Sequence, residues 1–356
     1  MIRKNIDDSS ISVIPEDSDD LLNLRRIIKT GDRLTADTIR TIKQEKDYSR
    51  PDKGKRVKIR IALCVEKISL DGVLDRLRIS GTILESNNES VPHGSHHSFN
   101  IRINDGITIS KKRWSRLEKR LLSSGNDKPA YILLAIDTSG CGLARLQGTH
   151  LEFFPDIYSG AGGKRYKMAF NVEKFFGHVY HAVESACRST EEIIIFGPGQ
   201  TKKKFSNFVQ KESSRKIRMV EGIDSGGEDG IHIFAKSQAM REIISDSKLA
   251  KVASAVDEIM MLASKKSTKF AMGIEETEAA NKLGAVRLLV FSEMSIQEYD
   301  ESRVIDLLND AEEKGVETFG VDSSTDLGLR VTGLGGIVAL LRYALVSPDV
   351  DSTSQS

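Results

Sequence analysis

Residues 57–65 have the sequence VKIRIALCV, in which large apolar residues occupy every odd-numbered position. A period of two is typical of a β-strand that buries one face. The pattern therefore directs Ile59 and Ile61 toward a core and leaves Lys58 and Arg60 facing away from it. This strand predicts that the chain begins with a β-rich domain.

Two neighbouring patterns extend that domain. Phe99, Ile101 and Ile103 alternate with polar residues, and the turn at Asn104-Asp105-Gly106 leads to Ile107 and Ile109, which predicts a hairpin. Upstream, the apolar stripe of residues 21–28 predicts a helix, with Ser18 or Asp19 as its N-cap and Gly31 just past its end. Several short strands separated by turns suggest a small barrel.

The composition changes at residues 123–129, which are rich in Ser, Gly, Asn, Asp, Lys and Pro. Strands and helices then alternate, as expected of an α/β domain. We predict strands at 131–136, 193–196 and 216–220, and helices at 168–187 and 200–212.

A third unit begins near Ala263. It has helical spacing at 274–283 and 304–314, and strand-like runs at 286–291 and 316–321. The apolar run 337–343 is interpreted as a closing helix that Gly333, Gly335 and Gly336 introduce. The predicted domains are residues 1–127, 128–260 and 261–347, followed by a flexible tail at 348–356.

The composition restricts the class of protein. The 356 residues carry a net charge of +1, so any nucleic-acid contact must come from a local patch. Three distant cysteines, Cys64, Cys141 and Cys187, indicate neither a disulfide framework nor a zinc site, which favours a reducing compartment. Neither a signal peptide nor a membrane span is indicated, so we expect a soluble cytoplasmic protein, and nothing suggests an obligate dimer.

Familiar catalytic signatures are missing from the sequence. Gly160 to Lys164 fails the phosphate-loop pattern, which requires Gly at Tyr158 and Ser or Thr at Arg165. Two histidine groups, 93–97 and 178–181, have no Cys, Asp or Glu at a spacing that completes a metal site. We therefore assign no metal ligands.

Basic segments are a stronger indication of function. One group of cations passes through a Pro/Gly-marked loop into the first strand, and comprises Arg50, Lys53, Lys55, Arg56, Lys58 and Arg60. A cationic loop on a small barrel suits contact with a phosphate backbone, although a solvated hairpin with scattered lysines is the alternative. A second cluster spans 111–120 around Trp114, but Glu118 dilutes its charge and Trp114 is expected to be buried.

Two glycine segments lie in the central region. Residues 197–200 (GPGQ) follow a buried strand and open a helix carrying Lys202, Lys203 and Lys204, as a simple strand-to-helix turn would. Residues 159–166 (SGAGGKRY) hold too many glycines for a turn, which indicates an exposed cationic loop suited to contacts.

Seven segments, in this order, carry a resemblance to one family. They are 15–22 (PEDSDDLL) with Gly31-Asp32, 75–81 (DRLRISG), 94–97 (GSHH), 163–166 (GKRY), 196–199 (FGPG), 284–290 (GAVRLLV) and 333–343 (GLGGIVALLRY). Together they resemble the archaeal branch of the Pelota family over roughly residues 10–345. Agreement over this length is more specific than any single motif.

The resemblance implies an α+β multidomain fold, with an Sm-like β-barrel followed by two α/β domains related to class 1 release factors. It implies recognition and rescue of stalled ribosomes, including subunit dissociation, mRNA surveillance and no-go decay. The implied partners are the ribosome and its mRNA, a GTPase similar to elongation factor 1 alpha, and an ABC-type recycling ATPase.

Residue roles follow from the same resemblance. The segment from Arg50 to Arg60 would reach toward the mRNA channel. Arg76 and Arg78 of the DRLRISG segment are further candidates for contact with RNA or the ribosome. The implied GTPase contacts are Gly163, Lys164, Arg165, Tyr166, Gly197, Pro198, Gly199, Gln200 and Lys203. Two positions depart from the pattern: Lys164 replaces the glutamine of the release factors' Gly-Gly-Gln, so peptide release is not expected, and Gln200 stands where an aromatic residue is common.

Two other functions remain open. A divalent-metal endoribonuclease in the first domain would need clustered carboxylates, for which Asp17, Asp19 and Asp20 are candidates with a divalent cation as cofactor. The same three residues also suit a helix N-terminus. A plain RNA-binding scaffold would show no response to a GTPase.

Overall fold

The computed structural model describes residues 1–42, 55–72, 74–123, 130–160, 171–187, 191–213, 215–243 and 248–345. The chain divides into two compact units. The first unit contains residues 1–127, 271–323 and 331–356, and the second contains residues 128–270 and 324–330. The predicted domain limits at 127, 260 and 347 remain predictions.

A seven-stranded sheet dominates the amino-terminal part of the first unit. Its elements are β1 (Ile2–Asn5), β2 (Ser10–Ile14), α1 (Ser18–Ile27), β3 (Arg33–Ile42), β4 (Lys55–Asp71), β5 (Arg76–Ser86), β6 (His96–Ile101), β7 (Ile107–Ser110) and α2 (Arg116–Ser123). The strand order is β1-β2-β7-β3-β4-β5-β6. Strands β2 to β7 and both helices contribute to one apolar core, so the sheet is wrapped around a common centre.

Strand β4 confirms the pattern that predicted it. Ile59 and Ile61 are 2% and 0% exposed, whereas Lys58 and Arg60 are exposed. The strand is longer than the predicted segment, at 17 residues, and pairs with β3 on one side and β5 on the other. Its register against β5 shifts at Ala62/Leu63 and Val65/Lys67, and such bulges bend a sheet.

Two local predictions in this domain are wrong. β6 and β7 do not form a hairpin, because β7 pairs with β2 and β3, whereas β6 pairs with β5. The long-range partners of Ile107 and Ile109 override the turn signal at residues 104–106. The N-cap of α1 is Asp17, one residue before the predicted caps, and its side chain accepts a hydrogen bond from the Asp20 backbone N–H.

The second unit has a five-stranded sheet of order β10-β9-β8-β11-β12. Its elements are β8 (Ala130–Ile136), β9 (Gly140–Gln147), β10 (His150–Tyr158), α3 (Val172–Ala186), β11 (Glu192–Phe196), α4 (Thr201–Glu212), β12 (Ile217–Met219), α5 (Gly227–Lys236), α6 (Gln238–Ile243) and α7 (Lys248–Ser264). β8, β11 and β12 are parallel, as is usual where strands and helices alternate. β9 and β10 form an antiparallel extension that the sequence did not reveal.

The carboxy-terminal part has a four-stranded sheet of order β13-β16-β14-β15. Its elements are β13 (Phe270–Met272), α8 (Gly273–Lys282), β14 (Val286–Ser292), α9 (Ser295–Glu298), α10 (Glu301–Glu313), β15 (Glu317–Val321), α11 (Asp326–Gly333) and β16 (Ile337–Leu341). The closing helix predicted at 337–343 is wrong, because these residues form β16, antiparallel to β14. All five of its residues are buried, and a short apolar run with no periodicity fits a buried strand as well as a helix.

Within the first unit, α1 joins the amino-terminal sheet to the carboxy-terminal part. Arg26 has a buried guanidinium whose Nη1 donates to Glu312 at 2.8 Å and whose Nε donates to Asn309 at 2.9 Å. Glu301 bonds Arg25 and also accepts from the Leu70 backbone N–H at 2.9 Å. Leu22 and Leu74 belong to the apolar cluster of the carboxy-terminal part, so this contact is both ionic and apolar.

Candidate functional site

The predicted RNA-binding cations of β4 form one exposed row. We call Arg56, Lys58 and Arg60 the basic ribbon; their side chains face away from the core on alternate positions. Lys58 Nζ lies 3.3 Å from Asp37 Oδ2 on β3 and keeps 74% of its side chain exposed. Arg56 and Arg60 have no ion-pair partner among the residues that the structure describes. The ribbon is therefore available to a polyanion.

Three other predicted cations adjoin this row in sequence. Arg50 and Lys53 lie outside the described residues. Lys55 is the first residue of β4, where its backbone pairs with Ile42 of β3. The ribbon thus starts where the β3–β4 pair enters the segment that contains Arg50 and Lys53.

Arg76 and Arg78 are not brought together with the basic ribbon. They lie at the start of β5, where they pair with Asp71 and Ser69 at the other end of β4. Ser69 is nine residues from Arg60, a separation of about 30 Å along the strand at roughly 3.3 Å per residue. Arg76 Nε also lies 3.2 Å from Asp71 Oδ2. The structure therefore places these two arginines on a separate surface.

β3 contributes residues that sequence reasoning missed. Arg40 pairs with Val57, and its Nη1 is buried with no hydrogen-bond partner among the described residues. His97 on β6 lies 3.2 Å from the Thr38 hydroxyl, and burial together with the nearby Arg40 charge lowers the pKa of His97. Because Arg40 pairs with Val57, its side chain lies on the face of the sheet opposite to the ribbon, and no local pattern in the sequence announces that register.

The three candidate catalytic carboxylates have local structural partners. Asp17 caps α1. Asp20 is fully buried; its Oδ2 accepts from the Glu16 backbone N–H at 2.9 Å and lies 2.5 Å from the Met1 ammonium. Asp19 lies in the first turn of the same helix. In the described part of the chain, no group of three or more His, Cys, Asp or Glu side chains could hold a metal ion, and these three aspartates belong to no such group there.

The three histidines within residues 93–97 have separate partners. His93 Nδ1 lies 2.8 Å from the Leu84 carbonyl oxygen, and His96 Nδ1 lies 3.3 Å from Glu66 Oε2. His97 contacts Thr38 instead. These rings do not converge on one point, so the group has no metal-site geometry.

The turn at residues 197–200 is held by the backbone of the central sheet. Gly197 has φ +132°, and a Cβ at this position would lie 2.2 Å from the Ile136 carbonyl oxygen. Lys202 is 5% exposed; its Nζ donates to the Gly197 carbonyl oxygen at 2.8 Å and lies 2.7 Å from Glu221. Lys202 thus stabilises the turn, a role that its sequence neighbours Lys203 and Lys204 do not share.

The remaining side chains of this turn face solvent. Gln200 is exposed and makes no side-chain cap bond to α4, and Lys203 is exposed. Gly199 is exposed and Pro198 is half-buried. A protein partner could therefore contact Gln200 and Lys203 without disturbing the turn.

The second predicted partner-contact segment follows β10 in the sequence. Gly163, Lys164, Arg165 and Tyr166 lie outside the described residues, but β10 ends at Tyr158 and leads toward them. β10 and β11 both run parallel to β8, so their carboxyl ends share one edge. β9 and β8 lie between them, which separates the two strand ends by about 14 Å at roughly 4.8 Å per strand.

The folds and surfaces define a multidomain α+β protein with a cationic barrel-like domain and two α/β parts. The Pelota N-terminal domain family matches residues 1–125, and the eRF1 domain 3 family matches residues 249–345. A Protein pelota homolog of Nitrosopumilus maritimus is 65% identical over 98% of this chain and 100% of the relative. A second Protein pelota homolog, from Cenarchaeum symbiosum, is 48% identical over 96% and 99%.

This chain belongs to the Pelota family. A solved structure, the Thermoplasma acidophilum Pelota protein, shares the fold with a TM-score of 0.63 at 22% identity, over 97% of this chain and 100% of the other. The predicted fold class is confirmed by these matches. Among the described residues, no helix is both long enough and apolar enough to span a membrane.

Proposed function

We propose that this protein recognises stalled ribosomes and takes part in their rescue. The observation that carries the proposal is the 65% identity to a Pelota homolog over essentially the full length of both chains. In this proposal the protein dissociates the subunits and supports mRNA surveillance, including no-go decay. It would act in the cytoplasm, where its substrate is found.

The basic ribbon supports an RNA-facing role for the first domain. Arg56, Lys58 and Arg60 place three cations on one exposed edge, beside the segment that holds Arg50 and Lys53. Cations in a row bind a phosphate backbone through charge, with no need to read bases. In the proposed function this ribbon and the adjoining segment contact the mRNA path of the ribosome.

The central unit supports a partner-facing role. The two candidate contact segments follow β10 and β11 in the sequence, and the carboxyl ends of these strands share one edge of the sheet. Gln200 and Lys203 are exposed. We assign this edge to a GTPase similar to elongation factor 1 alpha, and assign subunit splitting to joint action with an ABC-type recycling ATPase. Gly162-Gly163 is followed by Lys164, which lacks the amide of the release factors' glutamine, so the protein acts without hydrolysing peptidyl-tRNA.

Subunit splitting on stalled archaeal ribosomes tests the proposal. The protein, the GTPase and the recycling ATPase are added to ribosomes with an empty decoding site, and free subunits are measured by sedimentation. We expect splitting that requires this protein. The variant R56E/K58E/R60E should lose ribosome affinity by tenfold or more at moderate salt. The slope of log affinity against log salt concentration should also become less steep, by about 0.7–0.9 for each phosphate contact that is lost.

A matched control separates local contact from net charge. Lys4, Lys67 and Arg102 are exposed cations of the same domain, outside the ribbon. The variant K4E/K67E/R102E changes the net charge equally and should bind ribosomes like the unaltered protein. Equal losses in both triple variants would remove the ribbon from the proposal, and absence of splitting with all partners present would remove the rescue function.

The same reaction tests the metal-dependent endoribonuclease. Cleavage of the mRNA on stalled ribosomes is measured with magnesium and with chelator, using the unaltered protein and the variant D17N/D19N/D20N. Cleavage that chelator abolishes and that this variant loses, while the variant still splits ribosomes, would establish the nuclease. Asp17 and Asp20 also have structural roles, so circular dichroism must first show that the variant is folded.

A further inference from the structure

A large cavity lies in the amino-terminal domain, at the other end of β3 from the basic ribbon. Its volume is about 1040 Å³, and its walls come from the α1–β3 connection, the end of β7 and the start of α2. Six cations and two carboxylates line it, which gives the lining a net charge of +4. The cations are Lys29, Arg33, Lys111, Lys112, Arg113 and Arg116.

Both carboxylates of the lining are paired with the same lysine inside the wall. Lys111 is 7% exposed, and its Nζ lies 2.7 Å from Asp32 and 3.0 Å from Glu118 while donating to the Ile27 carbonyl oxygen. Glu118 is 4% exposed and accepts from the Ser115 backbone N–H at 2.8 Å. Although burial acts to raise the pKa of Glu118, these hydrogen bonds and the Lys111 charge lower it overall, so Glu118 stays ionised at neutral pH. Glu118 therefore offsets part of the positive charge of the cluster through its contacts with Lys111 and Lys29.

The rim cations are available to a ligand. Lys112, Arg113 and Arg116 are exposed, and none has an ion-pair partner within the part of the chain that the structure describes. Lys29 keeps 64% of its side chain exposed and lies 3.5 Å from Glu118. Arg33 bonds the exposed Glu85 across the sheet. Three cations without an ion-pair partner among the described residues thus face the opening, beside Lys29 and Arg33, each of which is paired with a carboxylate.

Trp114 has a structural role in this wall. It is 8% exposed, as predicted, and its Nε1 donates to the Ser9 carbonyl oxygen at 3.1 Å. The Lys111 ammonium lies 5.6 Å from the centre of its ring, a cation–π contact. A ring enclosed in this way cannot stack on a base, so recognition here depends on charge and on the hydroxyl groups of the lining.

We propose that this cavity binds the phosphodiester backbone of RNA, at a second site separate from the basic ribbon. The inference rests on the proposed function, in which the protein enters a ribosome. Among its described lining residues, Trp114 is the one large apolar side chain and it is enclosed, whereas protein partners are usually held by exposed apolar anchors. A surplus of arginine and lysine over a polar lining instead matches phosphate recognition.

The two sites are too far apart to contact adjacent phosphates. β3 connects them, because Arg33 begins the strand beside the cavity and Thr41 pairs with Arg56 of the ribbon. Eight residues separate those positions, or about 26 Å at roughly 3.3 Å per residue. Each site would therefore hold its own stretch of RNA, and the domain would be fixed at two points.

Binding of a fluorescein-labelled RNA hairpin to the full-length protein tests this inference. We expect K112E/R113E/R116E to weaken binding at least tenfold and to lower the logarithmic salt slope by about 2, since three phosphate contacts are removed. The charge-neutral variant K112Q/R113Q/R116Q should show a smaller loss of the same kind. All three residues are exposed, so the melting temperature should be unchanged.

Exposed lysines of the second unit provide the matched control. K211E/K251E/K265E makes the same change in net charge and should bind the hairpin like the unaltered protein. A loss below threefold in the cavity variant, or an equal loss in this control, would overturn the inference. Competition by polyaspartate as strong as that by unlabelled RNA would also overturn it, since the cavity would then suit an acidic protein.

The outcomes for the cavity and for rescue are distinguishable. Hairpin binding needs no ribosome, GTPase or ATPase, so failure of subunit splitting leaves the hairpin result intact. Conversely, splitting by the unaltered protein with unchanged hairpin binding in the cavity variant would retain the rescue function and reject this site.

Discussion

Lys111 shows how one residue can change role between sequence and structure. In the sequence it belongs to a basic cluster with Lys112 and Arg113, and nothing distinguishes it from them. In the structure it is buried between Asp32 and Glu118, whereas its two neighbours are exposed. Asp32 is 79 positions away in the chain, so only the paired strands β3 and β7 bring the ion pair together.

Replacing Lys111 should therefore destabilise the fold. Lys111→Met leaves the buried Glu118 and the half-buried Asp32 without that cation, and breaking a buried pair in this way costs about 3–5 kcal/mol. Urea unfolding followed by circular dichroism measures the loss. Lys112→Met removes an equal charge from an exposed site and should change the free energy of unfolding by less than about 0.5 kcal/mol. Similar values for both variants would show that the buried network contributes nothing.

His97 should make stability depend on pH. Burial and the Arg40 charge lower its pKa in the folded state, so the unfolded chain takes up a proton at higher pH than the native protein does. Stability contributed by neutral His97 is complete above about pH 6.5, its unfolded pKa, and is lost as the pH falls toward the lower folded value. Urea midpoints measured across this range should fall less steeply in His97→Gln. Identical slopes of urea midpoint against pH in the two proteins would contradict the role of His97 in this pH dependence.

At the scale of single elements, periodic segments were predictable and aperiodic ones were not. Strand β4 and helices α1, α4, α8 and α10 follow from their apolar spacing, because that spacing reflects one buried face. β16 is buried on both faces, so its sequence has no period, and the helix predicted there was wrong. The contact surfaces were found in part: the ribbon follows from alternation, whereas Arg40 and the buried position of Lys202 depend on tertiary neighbours.

The strand-to-helix turn after β11 should tolerate change at one glycine far less than at the other. Gly197→Ala would place a Cβ 2.2 Å from the Ile136 carbonyl oxygen at φ +132°, so backbone must move and we expect a cost of about 3 kcal/mol or more. Gly199 has φ +63° with no atom within 4 Å of its Cβ position, and Gly199→Ala should cost about 1 kcal/mol. Chemical denaturation compares them, and equal costs would contradict the steric argument.

This difference affects how a partner surface is tested. Loss of GTPase binding in Gly197→Ala would follow from a damaged turn as readily as from a lost contact. Gln200→Ala and Lys203→Ala change exposed side chains instead, so a loss of GTPase affinity at unchanged stability would assign the contact to this edge.

At the scale of the whole molecule, the first compact unit combines two distant parts of the sequence. Residues 1–127 and 271–323 belong to it together, and Arg26 connects them through Glu312 and Asn309. From the sequence, this unit was predicted as two domains, the first and the third. The composition shift at residues 123–129 marks the end of the first domain, but no sequence feature shows that residues 271–323 pack in the same unit. Neither the sequence around Arg26 nor the sequence around Glu312 indicates that these side chains contact each other.

The Arg26–Glu312 pair should couple these two parts energetically. Arg26→Ala and Glu312→Ala should each lower stability, and the double variant should lose less than the sum, with an interaction energy of about 1–3 kcal/mol. Urea unfolding of the four proteins measures that cycle. Lys314–Asp310, a half-exposed pair four residues apart on α10, provides a control expected to couple by only about 0.3–0.5 kcal/mol. A cycle that closes additively at Arg26 would show that this ion pair does not couple the two parts.

The discontinuous first unit also bears on what happens when the backbone is broken. A protease site introduced between residues 130 and 270 would sever the chain without cutting the pairing of α1 with α10, which depends on the buried Arg26 guanidinium. The two fragments should therefore remain together through purification and separate only in denaturant. By the same reasoning, amino- and carboxy-terminal fragments expressed separately would bind each other. The affinity between the two fragments would then measure the strength of that junction.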